Sequence, residues 1–177
     1  MKPLFAIERL VKELPEDPGM RLNLALAFES AGKYADEIDQ LRIVLKEKPE
    51  MFAPCLLLGM AHQKLRQTAA AIDPLRRALG ISPNDNMALL ELADAHLALG
   101  NFLKAAERFK ELVAKNPNSA KGWNGLALAY TAQARDSFAR LERTAPGSAE
   151  WFVLAGRSEL DDARFTLPWL SPRCARR

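Results

Sequence analysis

Four prolines, Pro15, Pro49, Pro83 and Pro117, stand 34 residues apart without drift. A fixed period of that length is the mark of stacked two-helix units, each too small to bury its own apolar face and so completed by its neighbours. With Pro at position 32, units begin at Pro18, Phe52, Asn86 and Ala120, and the remaining columns can be tested against that register.

The columns fill as a helical hairpin requires. Position 7 holds Leu24, Leu58, Leu92 and Leu126, and position 8 holds Ala25, Gly59, Ala93 and Ala127, small residues that let helices approach closely. Position 11 reads Phe28, His62, His96 and Tyr130, position 24 reads Leu41, Leu75 and Phe109, and position 27 reads Val44, Ala78 and Leu112. Positions 4, 7, 8 and 11 share one helical stripe, which predicts a packed face. Gly32, Arg66 and Gly100 occupy position 15, between the two periodic stretches, where a left-handed residue can end a helix.

Through this period and these small, aromatic and proline columns the chain resembles the tetratricopeptide repeat (TPR) family over roughly residues 18 to 145. Only Trp123 matches the family's tryptophan at position 4, where Arg21, Cys55 and Leu89 stand in the other units, and position 20 is Glu37 instead of alanine in the first. The resemblance implies an all-α, right-handed α-solenoid of stacked antiparallel helix pairs.

Composition agrees. Hydrophobic residues make up 49% but aromatics only 7%, so Ala and Leu build the helices. Cys55 and Cys174 form neither a disulfide framework nor a metal pattern, which suits a reducing, cytoplasmic compartment. Glu8, Arg9, Lys12 and Glu13 interrupt the apolar run that an export signal needs, and no stretch approaches the roughly 18 apolar residues of a membrane span.

The predicted path begins with a cap helix near 3–14, within a half repeat over 1–15. Helix pairs follow at 19–31 with 34–48, 52–65 with 68–80, and 86–99 with 102–115, making three units over 18–119. Asp17, Asn84 or Asp85, and Ser119 are placed to cap helices. Pro74 removes a bond to the Ala70 carbonyl inside a helix, predicting a bend on the outward side.

The fourth unit, 120–146, breaks the period. From position 8 to Pro there are 24 residues in each earlier unit but 19 from Ala127 to Pro146. The missing five fall where the turn belongs, and Trp123, Ala127, Tyr130, Ala134, Phe138 and Leu141 keep helical spacing across the gap. One fused helix from about 119 to 144 is expected, roughly 37 Å long at 1.5 Å per residue. Ser148 can then cap an unpaired last helix over 147–165, followed by an irregular tail over 166–177. With no second helix to cover it, that end predicts either a fold-back of Phe165 to Leu170 or a homodimer, and the homodimer is preferred.

Nothing in the sequence proposes an enzyme or a cofactor. There is no glycine-rich phosphate loop and no nucleophile with a partner. Cys55, His62 and His96 are the nearest thing to a metal constellation, but all three sit in packing columns, so a structural role is expected. Function is therefore assigned to a surface. The family resemblance implies a concave groove lined by first helices, here Leu22, Leu26, Leu56, Met60, Met87 and Leu90, with Asp94, Leu97, Lys121, Asn124 and Leu128.

Some family members clamp a peptide's terminal carboxylate there, but Leu22, Leu26 and Leu57 stand where that needs charge or amide. An apolar groove with Glu29, Glu91 and Asp94 nearby suits an apolar or amphipathic peptide or helix, making the chain a protein-interaction scaffold. Against it stand two alternatives: the cap helix covers Leu22 and Leu26 while the rest face a narrow, partly self-buried trough, or the repeats are an architectural, self-assembling segment of a larger protein. Single-stranded RNA ranks below both. The sequence pI is near 9, yet net charge is only +3 and the groove offers one lysine beside acids. Lys64, Arg66, Arg76 and Arg77 form the densest basic cluster and read as a solvated face.

Overall fold

The structure, a computed structural model, describes residues 17–148 together with Glu150, Trp151 and Val153. The cap helix expected near 3–14, most of the expected 147–165 helix and the tail over 166–177 lie outside the described residues. The chain runs as α1 Pro18–Ser30, α2 Tyr34–Glu47, α3 Phe52–Lys64, α4 Thr68–Ile81, α5 Asn86–Ala98, α6 Phe102–Lys115 and α7 Ala120–Thr144, with no strand among the described residues. Each helix from α1 to α5 packs on the next in sequence, giving the right-handed α-solenoid of antiparallel pairs.

Local chemistry sets the helix boundaries. Asp17 accepts from the N–H groups of Gly19 and Met20 at 2.8 and 3.4 Å, Asp85 from Ala88 at 2.8 Å, and Ser119 from Gly122 at 3.1 Å. At the other ends of α1, α3 and α5 the same closure appears three times. The N–H groups of Lys33, Gln67 and Asn101 each donate at 2.9 Å to the carbonyls of Phe28, His62 and His96. This six-to-one bond needs a left-handed residue just before the donor. Gly32 (φ 70°), Arg66 (φ 59°) and Gly100 (φ 74°) supply it. Arg66 alone carries a Cβ there, which costs about 1–2 kcal/mol. Part of that cost returns as the greater entropy glycine loses on folding. Arg66→Gly is therefore expected to raise stability by about 0.5–1 kcal/mol in urea melts, whereas a loss would mean the Arg66 side chain supplies a contact that outweighs the strain.

The periodic prolines end the second helices. Lys48, Ser82 and Asn116, each preceding Pro, leave helical geometry at ψ 79°, 85° and 81°, as the ring of the next residue demands. Each proline carbonyl is then taken by a residue of the following unit. Arg77 donates to Pro49 at 2.6 Å, Lys115 to Pro83 at 2.8 Å, and Trp123 Nε1 to Pro117 at 2.8 Å. The turn between units is thereby tied to the next unit.

The expected packing columns form the core. Leu24, Leu58, Leu92 and Leu126 are buried, as are Leu41, Leu75, Phe109, Val44, Ala78 and Leu112. Gly59 is small for a reason: a Cβ there would overlap the Leu75 side chain, and one on Gly125 would overlap the Phe109 ring. Pro74 departs from expectation. It is buried within a continuous α4 and does not mark the outer face, because position 23 of that helix turns toward the core. Ala70, whose carbonyl loses the proline's missing donor, is exposed.

The fused helix is present as the 25 residues of α7. The described chain forms two compact units that divide inside this helix, between Tyr130 and Thr131. In the first, Leu126 and Ala129 join Phe109, Leu112 and Val113 in one apolar cluster. The rest of the packing stripe differs from expectation. Trp123 is 51% exposed, Tyr130 is 44% exposed and Ala127 lies on the surface, since among the described residues no second helix of this unit returns over them as α2, α4 and α6 do in theirs. In the second unit Phe138 and Trp151 stack at 6.4 Å between centroids, and Ser148 Oγ accepts from the Trp151 N–H at 3.1 Å, the expected cap.

Candidate functional site

Within the first unit α3 reaches past its own pair to touch α5, while α4 and α6 make no comparable contact. That approach places α3 and α5, two first helices, side by side in the stack. Of the predicted groove residues, Leu22 and Leu26 lie on α1, Leu56 and Met60 on α3, Met87, Leu90, Asp94 and Leu97 on α5, and Lys121, Asn124 and Leu128 on α7. Leu22, Leu56, Met60, Leu90 and Leu97 are half-buried, with Leu22, Leu56, Leu90 and Leu97 packed against the core beneath. Leu26, Met87, Asp94, Lys121, Asn124 and Leu128 are exposed, Met87 by 47% and Leu128 by 51%.

These positions are not uniformly apolar. Gln63 Nε2 donates at 2.8 Å to the Glu91 carbonyl, bridging α3 and α5. Gln63 occupies position 12, one of the family's groove positions, which is the signal that would have found it. Glu91 and Asp94 sit one turn apart on α5. Burial raises the Glu91 carboxyl above its ordinary range and the charge of Asp94 raises it further, against the pull of Lys64 and Lys121. Burial raises Asp94 too, countered by Lys121. This side of α5 thus holds two crowded carboxyls that a cation or a hydrogen-bond donor would relieve.

Two other clusters noted in the sequence separate in space. Cys55 and His62 are buried, and His62 Nδ1 lies 2.8 Å from Gln67 Oε1, which fixes the ring within the α3–α4 turn. No group of three His, Cys, Asp or Glu side chains suited to a metal ion occurs among the described residues. The basic cluster divides its work: Arg66 ends α3, Arg77 holds the Pro49 carbonyl, Arg76 pairs with Asp73 at 2.7 Å and Lys64 acts on Glu91. No helix among the described residues is long and apolar enough to cross a membrane.

Models of the tetratricopeptide repeat family match residues 6–52 and 64–129, together well over half of the chain. No curated protein matches its sequence. Among solved structures, a crystal structure of MamA is 22% identical with a TM-score of 0.72, covering 91% of this chain and 89% of that one. The first TPR of Spaghetti (RPAP3) bound to the HSP90 peptide SRMEEVD is 19% identical with a TM-score of 0.63, covering 66% and 93%. The second TPR domain of human RPAP3 with the HSP70 peptide SGPTIEEVD is 17% identical at 0.60, covering 64% and 98%. At these identities the likeness is one of fold. Taken with the 34-residue period and the three matching helix closures, the family matches establish that this chain belongs to the tetratricopeptide repeat family.

Proposed function

We propose that the chain is a non-enzymatic interaction scaffold whose concave wall binds an apolar or amphipathic peptide or helix. The observation that carries this reading is the set of partly open apolar side chains at these first-helix positions, Leu26, Leu56, Met60, Met87, Leu90 and Leu128, interspersed with Gln63, Glu91, Asp94, Lys121 and Asn124. Apolar anchors supply affinity, the methionines adapt to the anchor's shape, and the carboxyls orient a basic or donor group of the ligand. The RPAP3 domains are seen with acidic peptides, SRMEEVD and SGPTIEEVD. Leu22, Leu26 and Leu57 in place of clamp residues, and two carboxyls on α5, support a different ligand charge here. The same carboxyls argue against RNA. A buried free thiol at Cys55 fits a reducing, cytoplasmic setting.

A second reading, self-assembly toward the C-terminal end, is favoured by the exposure of Trp123 and Tyr130 where other units carry a covering helix. One experiment addresses both. The double variant Met60→Glu with Met87→Glu is expected to lose the peptides or proteins captured by the wild type from lysate, at least about tenfold as two anchors are lost, while circular dichroism melts hold. Undiminished capture would remove the groove from consideration, and capture of the chain itself by both forms would favour self-assembly.

A further inference from the structure

The outer side of the solenoid carries a second feature, independent of the groove. Between α4 and α6 lies a crevice of about 300 Å³, floored by Ile72, Leu79 and Leu92. Leu92 and His96 stand two residues out of phase with Leu90 and Asp94, so they project from the side of α5 opposite the groove. Arg76 comes from α4, and Lys104, Glu107 and Arg108 from α6, which puts three cations and one carboxylate around an apolar floor.

The cations are not spent. Arg76 pairs with Asp73 on its own helix at 2.7 Å in an exposed contact of the kind worth little, and Arg108 with Glu111 at 2.8 Å in a part-buried one. Each uses one nitrogen of a five-donor guanidinium. Lys104 has no ion-pair partner among the described residues. At the floor, His96 Nδ1 is shut off from solvent and makes no hydrogen bond. Burial lowers the affinity of that ring for a proton, as do Lys104 and Arg108, and Glu107 only partly offsets them. The crevice therefore sets a neutral imidazole with an unpartnered ring nitrogen beside three cations and one lining carboxylate, two of the cations being shared with Asp73 and Glu111.

We propose that this crevice binds a small organic carboxylate, its apolar body on Ile72, Leu79 and Leu92 and its oxygens facing Arg76, Lys104 and Arg108, with His96 taking up a proton as the anion arrives. The volume lies at the small end of ligand sites, which run from about 300 Å³ upward, and suits a single ring or short chain. An anion beside His96 reverses the electrostatics that keep it neutral, so protonation and binding reinforce each other. Affinity rises as pH falls through the His96 pKa of the complex, and levels off below that of the free protein.

Phenylacetate serves as the probe, because its own charge is constant between pH 6 and 8. Calorimetric titration of the full chain should show millimolar or tighter binding that strengthens by about tenfold from pH 8 to pH 6, with net proton uptake when two buffers of different ionisation enthalpy are compared. Acetate, which lacks the apolar body, should bind about tenfold more weakly. Lys104→Ala with Arg108→Gln, which remove both charges while keeping a polar side chain at the half-buried position, should abolish binding while the melt stays within about 1 kcal/mol of wild type. Glu107→Gln should tighten it by about threefold through loss of one repelling charge. His96→Gln should bind with no pH dependence. Absence of phenylacetate binding, or binding unmoved by the Lys104 and Arg108 changes, would overturn the site. A pH dependence that survives in His96→Gln would overturn the proton uptake.

Discussion

Leu58→Ala and Leu92→Ala are each expected to lower the free energy of unfolding by about 2–5 kcal/mol, the range for truncating a buried leucine. Leu58 packs in a cluster with Ala25, Ile38, Leu41 and Cys55, and Leu92 in one with Ala71, Leu75 and Ala95. Both side chains lie where one helix pair meets another, so the cavity weakens the interface as well as the unit. In a linear array the loss is felt as uncoupling: with a central interface weakened, the units on either side lose the neighbour that covers them. Urea melts should show a lower midpoint and, where uncoupling is complete, a shallower slope. Melts within about 0.5 kcal/mol of wild type, the range for surface changes, would show that position 7 is not core.

The second large effect is expected at Glu37. Position 20 is alanine in the next two units, Ala71 and Ala105, both fully buried, and Glu37 occupies the same place with only 1% of its surface exposed. Its Oε2 has no hydrogen-bond partner among the described residues. Burial raises the carboxyl from 4.5 to about 7, with the charge of Glu29 adding to the effect. The folded chain thus prefers the neutral acid. Stability from this group is fully present below the unfolded value near 4.5 and is lost as pH rises through about 7. A shift of this size corresponds to at most about 3 kcal/mol. Glu37→Gln keeps the shape and removes the charge, so it should be more stable than wild type at pH 8 and nearly equal to it at pH 4. Glu91 and Asp94 titrate in the same direction and remain in both proteins, so the difference between the two melts as a function of pH isolates Glu37. A pH-independent difference would mean that the carboxylate finds solvent or a partner when it ionises.

Much of the solenoid was legible before any coordinate, because its determinants are local and repeated. Position 15 must take positive φ, position 32 must stop a helix, and Asp17, Asp85 and Ser119 sit one residue ahead of a helix they can cap. Each rule involves residues within one turn of each other, and the 34-residue period states it three times. The fused helix was legible for the same reason, since a five-residue deletion that removes the only turn signal leaves continuous helical spacing.

The groove was legible only as a set of positions, and what its wall does electrically was not. Glu91 is perturbed by Asp94, Lys64 and Lys121, and Lys64 and Lys121 come from the units on either side. Tertiary structure likewise decided that Glu37 is fully enclosed, that Arg77 and Lys115 close the proline carbonyls 28 and 32 residues away, and that His96 lies beneath cations of two outer helices. It also decided that Trp123 and Tyr130 stay exposed in columns that are core or near-core elsewhere. Helix identity and helix ends follow from hydrogen bonds a few residues long, which sequence alone encodes. Burial, charge and exposure depend on which neighbour arrives on the far side of a helix, and that is determined only once the units have stacked.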